Sequence, residues 1–217
     1  MTPRSFDSNH NDLRARLERG DEQALAALFE LHRERLWRIV NFRLDRRLHG
    51  RVDAEDVLQD SFLAAAQRID HYKAHESRSP FLWLRLVVTQ TLVETHRSHL
   101  GAQMRDAGRE IAIGGCAFSQ ATSVSLAAHL IGSLTSPSQA AVRGELVERV
   151  EQAIDAMEPI DQEVLALRHF EELTNNEIAE VLEIQVKAAS IRYIRAVKRL
   201  RTILEDVPGL FEDERHD

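Results

Sequence analysis

The sequence of 217 residues holds a single cysteine, Cys116, with five prolines and nine glycines. One cysteine excludes a disulfide framework and a cysteine-rich zinc site, and it fits a reducing compartment. So little glycine and proline argues against a turn-dense, all-β chain. No apolar run approaches the ~18 residues that a membrane helix requires. Phe81–Val88 is broken by Arg85, and Ser123–Leu134 is short and carries His129. The first residues, MTPRSFDSNHNDLRARLERGD, lack the apolar core of a signal peptide. The expectation is a soluble, cytoplasmic protein with no membrane insertion.

What is present suffices for a packed interior: 43% of residues are hydrophobic and 29% charged. The length suits one or two small domains. A formal net charge of -7 speaks against a uniformly basic nucleic-acid binder, but the charge is unevenly placed. Residues 1–104 carry 16 basic and 15 acidic side chains, whereas residues 146–186 carry 2 and 11. Residues 187–201 then hold six basic groups and no acidic one. Between Ile111 and Val142 there is no Asp, Glu, Lys or Arg, and Ser, Ala, Gly and Thr dominate. That composition reads as a linker with a short helix around Val124–Leu130.

Helical periodicity appears on both sides of this stretch, and no strand-like alternation competes with it. Asp21 caps a helix running to about Leu48, with Leu25, Leu28, Phe29, Leu36, Ile39 and Val40 on one stripe. Asp53 opens a second helix, and Ser79-Pro80 opens a third that reaches about His99. In the second half, Leu146–Met157 and Ile160–Phe170 are helical. Thr174-Asn175-Asn176-Glu177 is a capping box opening Asn175–Leu182. A short turn, Glu183–Val186, leads into a long helix from Lys187 to about Leu204. The expected fold is all-α, in two small helical domains joined by a flexible linker. Its parts are an N-terminal segment (1–19), a first domain (20–104), the linker (105–142), a second domain (143–205) and an acidic tail (206–217).

Helix, short turn and second helix with a basic face form a helix-turn-helix pattern. At ~100° per residue, Val186, Ala189, Ala196, Val197, Leu200 and Leu204 fall within about 60° of Tyr193. This arc is expected to pack on Ile178, Ala179 and Leu182. The opposite arc holds Lys187, Ala188, Ile191, Arg192, Arg195, Lys198 and Arg199, which combines cations for phosphates with short or apolar side chains for base edges. The alternative is a solvated basic face on an ordinary bundle helix. Ile191 among the cations, the turn spacing and the capping box favour DNA.

Asp56, Gln59 and Asp60 stand at i, i+3 and i+4 of the second helix and share one face. Such a patch suits an Arg- or Lys-rich partner helix; a merely solvated polar face is the alternative. The local sequence offers no nucleophile, pocket or metal partner for acid–base work. Tyr72, Phe81 and Trp83 bracket the loop His71–Pro80, which also carries Lys73, His75 and Arg78. Aromatics interleaved with cations suit single-stranded DNA, and core packing is the competing reading. The histidine pairs His71/His75 and His96/His99 lack a supporting acid or cysteine cluster, so no metal site and no cofactor are expected.

These features together resemble the sigma-70 family of RNA polymerase sigma factors, of the extracytoplasmic-function type. The resemblance spans about residues 20–104 and 140–205. Asp53-Ala-Glu-Asp-Val-Leu-Gln-Asp60 is similar to the region 2.2 signature. The resemblance implies that Asp56, Gln59 and Asp60 dock on the clamp helices of the polymerase β′ subunit. Trp83-Leu84 and the helix that follows are similar to regions 2.3 and 2.4, which open and read the minus-ten element. By that likeness Tyr72, Lys73, Arg78, Trp83, Gln90, Glu94 and Arg97 face minus-ten DNA. Glu163-Val-Leu-Ala-Leu-Arg168, Glu177-Ile-Ala179 and Arg195-Ala196 match region 4. The resemblance therefore places Lys187, Ala188, Ile191, Arg192, Arg195, Lys198 and Arg199 on the minus-thirty-five duplex. His99-Leu-Gly-Ala-Gln103, Ser136-Pro-Ser138 and Ala188-Ala-Ser-Ile-Arg-Tyr193 resemble a subgroup frequent in planctomycete-type bacteria.

The implied protein is a non-enzymatic specificity subunit whose partners are core polymerase (β′ clamp helices, β flap) and promoter DNA. An anti-sigma factor is a further candidate partner. A helix-turn-helix regulator that acts without polymerase is the alternative. Glu183 stands where the family's turn usually has glycine, so the turn either adopts another backbone geometry or tolerates strain.

Overall fold

The structure, a computed structural model, describes residues 3–73, 79–100, 120–134 and 140–205. The described residues are helical, without a strand, and fall into two compact units, Met1–Cys116 and Ala117–Asp217. The first unit holds α1 (Pro3–Glu18), α2 (Glu22–Arg43), a 3-10 turn (Arg46–Leu48), α3 (Ala54–Gln67), α4 (Ile69–Lys73) and α5 (Pro80–Leu100). The second holds α6 (Gln120–Leu134), α7 (Ala140–Asp155), α8 (Pro159–His169), α9 (Asn175–Val181) and α10 (Val186–Glu205).

In the first unit α2, α3 and α5 pack on one another, and α1 packs on α2 and α4. Asp21 caps α2 by accepting the amides of Gln23 (2.9 Å) and Ala24 (3.3 Å). Asp53 caps α3 through the Glu55 amide at 3.1 Å. Leu25, Leu28, Leu36 and Ile39 are fully buried, each contributing about 1.5–3 kcal/mol of transfer free energy. Three elements go beyond the sequence reading: α1, the 3-10 turn and α4, whose His71–Lys73 the sequence assigns to the start of a loop. The polar segment 1–19 is helical over Pro3–Glu18 and buries Leu13 and Leu17. Apolar residues are sparse in this strongly polar stretch, so its stripe does not stand out. The expected long first helix stops at Arg43; the extended Leu44 caps it, and a 3-10 turn follows at Arg46–Leu48.

The second unit forms around α7, which α6 and α10 both cover. Here the structure differs from the linker reading. Gln120–Leu134 is a helix of 15 residues, longer than the Val124–Leu130 expectation, and it belongs to the second unit. Leu126, Ala127 and Ile131 are buried against α7 and α8. Buried Ser123 donates to Asp155 Oδ1 at 2.5 Å. His129 lies against the Phe170 ring, with centroids 4.7 Å apart. The absence of charge that suggested a linker is also what lets this helix bury a face cheaply. Buried Gln162 donates from Nε2 to the Ile154 carbonyl at 2.8 Å and so satisfies the last turn of α7.

One half-buried histidine is expected to give the first unit a pH dependence. His32 lies against Phe81, and its Nε2 is buried without a hydrogen-bond partner. Burial, then the charges of His10 and Arg35, lower its pKa from 6.5 to about 4. The unfolded chain therefore takes up a proton at this position that the folded chain refuses. The stability contributed at this position is complete above about pH 6.5 and is lost as pH falls toward about 4. Burial lowers the pKa of His96 in the same sense. A His32→Gln variant should show a smaller drop in thermal midpoint between pH 6.5 and 4 than the parent. Parallel curves would contradict the assignment.

Candidate nucleic-acid interface

The second unit presents a helix-turn-helix made of α9 and α10. Thr174 and Glu177 form the reciprocal capping box, with Thr174 N to Glu177 Oε2 at 2.8 Å and Glu177 N to Thr174 Oγ1 at 3.3 Å. After α9 the Ile184 amide bonds back to the Ala179 carbonyl (3.0 Å) and the Glu183 amide to the Glu180 carbonyl (3.3 Å). This pair of bonds is a Schellman cap, and Glu183 occupies its left-handed position with φ of 54°. The same cap closes α1, where the left-handed residue is Gly20 with φ of 82°. The turn thus keeps the geometry that glycine would favour, and Glu183 bears the strain.

α10 packs on α7, α8 and α9 through a narrow seam of Ala189, Ala196 and Leu200, with Tyr193 half-buried among them. The sequence placed Val186 and Val197 on this buried arc, but both are exposed. The two alanines leave little side chain between the helices and narrow the covered arc. Val186 stands at the helix's first turn, and Val197 flanks the seam.

Polar contacts hold α10 besides the seam. Asn175 Nδ2 donates to Ser190 Oγ at 3.0 Å. The Tyr193 hydroxyl lies 3.3 Å from His169 Nε2. Arg192 Nη1 donates to Asp161 Oδ1 at 2.8 Å and Glu158 Oε2 at 3.1 Å, both at the start of α8. The hydrogen bonds to Asp161 and then Glu158 raise the Arg192 pKa against the opposing effect of burial. On the outer arc Lys187, Ile191, Arg195, Lys198 and Arg199 are exposed and Ala188 is half-exposed. The predicted set is therefore on one face, with Arg192 set apart by its carboxylate partners.

In the first unit, α3 buries Ala54, Val57, Leu58, Ser61 and Ala65. That leaves Asp56, Gln59 and Asp60 exposed on the far side. Asp56 and Gln59 edge a groove of about 380 Å³ between α2 and α3, where Arg33 of α2 pairs with Glu55 of α3. Asp56 and Asp60 edge a second groove of about 460 Å³ toward α5, which Glu94 and Arg51 also line. The acid–amide face thus adjoins one of the residues predicted for DNA.

The remaining first-unit residues divide. Gln90, Glu94 and Arg97 are exposed along one side of α5. Tyr72 and Trp83 are buried, their ring centroids 5.1 Å apart. Both rings nonetheless edge a cleft of about 370 Å³ that Arg68, His71 and Gln90 complete. Arg68 Nη1 donates to Gln90 Oε1 at 2.8 Å. Arg68, the C-cap of α3, stands outside the aromatic loop His71–Pro80, so no sequence pattern singles it out. Lys73 ends α4, and its side chain, like Arg78 and His75, lies outside the described residues. No helix among the described residues is long and apolar enough to cross a membrane.

Comparison with known proteins agrees with this geometry. Residues 28–100 match the Sigma-70 region 2 family and residues 147–200 the Sigma-70, region 4 family. The chain is 24% identical over 191 residues to the ECF RNA polymerase sigma factor SigW of Bacillus subtilis (strain 168), covering 88% of this chain and 94% of that protein. It is 25% identical over 192 residues to the RNA polymerase sigma-H factor of Pseudomonas aeruginosa, covering 88% and 91%. RNA polymerase sigma factor YlaC of Bacillus subtilis (strain 168) is 26% identical over 153 residues, covering 70% and 78%. Among solved structures, that of CnrH in complex with the cytosolic domain of CnrY shares the fold. Its TM-score is 0.52 at 19% identity, covering 91% of this chain and 97% of that one.

The strained cap yields a test. Glu183→Gly removes the left-handed penalty and should stabilise the second unit by about 0.5–1 kcal/mol, while Glu183→Val should destabilise it. Denaturant midpoints of the three proteins measure the order, and a less stable glycine variant would contradict it.

Proposed function

The chain belongs to the sigma-70 family, as a sigma factor for transcription initiation of the extracytoplasmic-function type, and from that premise we propose how its residues divide the work. The observation that carries the proposal is the pairing, in one chain, of an exposed acid–amide face on one unit with an exposed basic recognition helix on the other. In this reading Asp56, Gln59 and Asp60 dock on the β′ clamp helices. Carboxylates flanking an amide accept charge-assisted hydrogen bonds from arginine or lysine. The groove beside them receives the bulk of the partner helix.

The minus-ten strand then runs along α5. Gln90, Glu94 and Arg97 face it, with Lys73 and Arg78 supplying cations. The cleft edged by Tyr72 and Trp83 takes an unstacked base against their rims, and Arg68 holds the Gln90 amide ready. On the second unit, Lys187, Ala188, Ile191, Arg195, Lys198 and Arg199 meet the minus-thirty-five duplex. The cations engage phosphates, and Ala188 and Ile191 meet thymine methyls. The acidic remainder of that unit repels DNA elsewhere or binds the β flap, which sets orientation.

The protein acts as a specificity subunit of core polymerase in the cytoplasm, without catalysis or cofactor. The CnrH structure contains a cytosolic domain of CnrY; by analogy an anti-sigma factor is a candidate partner here. The phrase Ala188–Tyr193, with His99–Gln103, supports membership of the planctomycete-like subgroup. A regulator acting alone would bind its operator tightly without polymerase, and a gel shift with and without core enzyme separates the two.

The docking assignment is tested by changing Asp56, Gln59 and Asp60 together to alanine. All three are exposed, so circular dichroism should be unchanged, while co-purification with β′ should fall about tenfold or more. Undiminished recovery of β′ would contradict the assignment.

A further inference from the structure

We propose that Arg192 is a positioning residue that sets the roll of the recognition helix, and is withheld from DNA by Asp161 and Glu158. This rests on the reading of α10 as the helix that enters the major groove. Arg192 belongs by sequence to the basic arc, but it lies at the edge of that arc, only about 70° round the helix from the buried seam. Its guanidinium spans two carboxylates at the start of α8. Asp161 is 7% exposed and Arg192 27%, so this contact is partly shielded from water, while Glu158, at 65%, lies on its solvent side. A partly shielded, charge-assisted contact of this kind resists exchange for a phosphate, because leaving it would strand the Asp161 carboxylate.

The next residue explains what the contact does. Tyr193 reaches His169 near the other end of α8, while Arg192 reaches Asp161 near its start. Eight residues of helix separate those anchors by about 12 Å. Adjacent side chains project about 100° apart and grip both ends of one helix, so α10 cannot rotate about its axis without breaking one of them. A roll of about 20° moves a side-chain tip ~6 Å from the axis by roughly 2 Å, enough to misplace a base contact. The phosphate-facing cations are then Lys187, Arg195, Lys198 and Arg199, all exposed.

The two roles predict opposite signs. Removing an acid near DNA should tighten binding if only electrostatics matters, and weaken it if the acid holds the helix. The probe is a DNA fragment carrying a start site mapped with wild-type holoenzyme. If wild-type holoenzyme selects no such site, the sigma-factor reading fails before this proposal is reached. Given a site, Asp161→Asn holoenzyme should bind the fragment about five- to tenfold more weakly. Glu158→Gln, at an exposed position that does not endanger folding, should lose less but in the same direction. Arg192→Ala should lose affinity with its salt dependence unchanged, whereas Arg195→Ala should lower the slope of log K against log salt by about 0.9. Tighter or equal binding by Asp161→Asn and Glu158→Gln, or a slope lowered by Arg192→Ala, would overturn the proposal. If Asp161→Asn melts below the assay temperature, Glu158→Gln and the Arg192→Ala slope decide alone.

Discussion

A helix with one apolar stripe has only one way to face, and every assignment made for this protein follows from that constraint. Burying Val57, Leu58, Ser61 and Ala65 of α3 turns Asp56, Gln59 and Asp60 to solvent. Burying Ala189, Ala196 and Leu200 of α10 turns Lys187, Arg195 and Lys198 outward. The core of α5, from Phe81 to Leu92, leaves Gln90, Glu94 and Arg97 on its outer side. In the proposed reading these partner surfaces are the complement of the packing surfaces, with the buried Tyr72 and Trp83 rings, which edge a cleft, as the exception. A substitution that shifts the packing would move the partner surface with it.

Charge is the second organising quantity, and its total is a poor guide. The chain carries -7, yet one helix holds six cations within fifteen residues. The acidic scaffold around that helix does more than offset it. Asp161 and Glu158 engage Arg192 and leave a smaller, cleaner set of cations on the exposed face. A footprint of about four phosphates gives modest, salt-sensitive affinity. In the proposed reading the polymerase brings this helix to DNA.

The helices with a wide apolar stripe and a polar cap were legible in the sequence. Asp21, Asp53 and Thr174 cap where expected, and the capping box forms with both its bonds. The acid–amide face was legible too, because i, i+3 and i+4 spacing needs no tertiary knowledge. Other features were not. Among its described side chains α1 buries just Leu13 and Leu17, and α6 is built of small uncharged residues whose composition imitates a linker. The seam of α10 is narrower than its apolar arc because alanine brings helices close. The engagement of Arg192 depends on residues thirty-one and thirty-four positions away, which no local pattern encodes. Nor does sequence spacing reveal that the Tyr72 and Trp83 rings are buried and meet solvent only at a cleft.

The proposal is of two small helical units, each offering a polar face to a different partner, that act together on the polymerase. In vitro transcription with purified core polymerase on fragmented genomic DNA, with start sites mapped, tests this most directly. The account predicts discrete starts sharing two upstream elements, seen only when this chain is added to core. Tight binding of those fragments by the chain alone, with no new start sites in the presence of core, would contradict it.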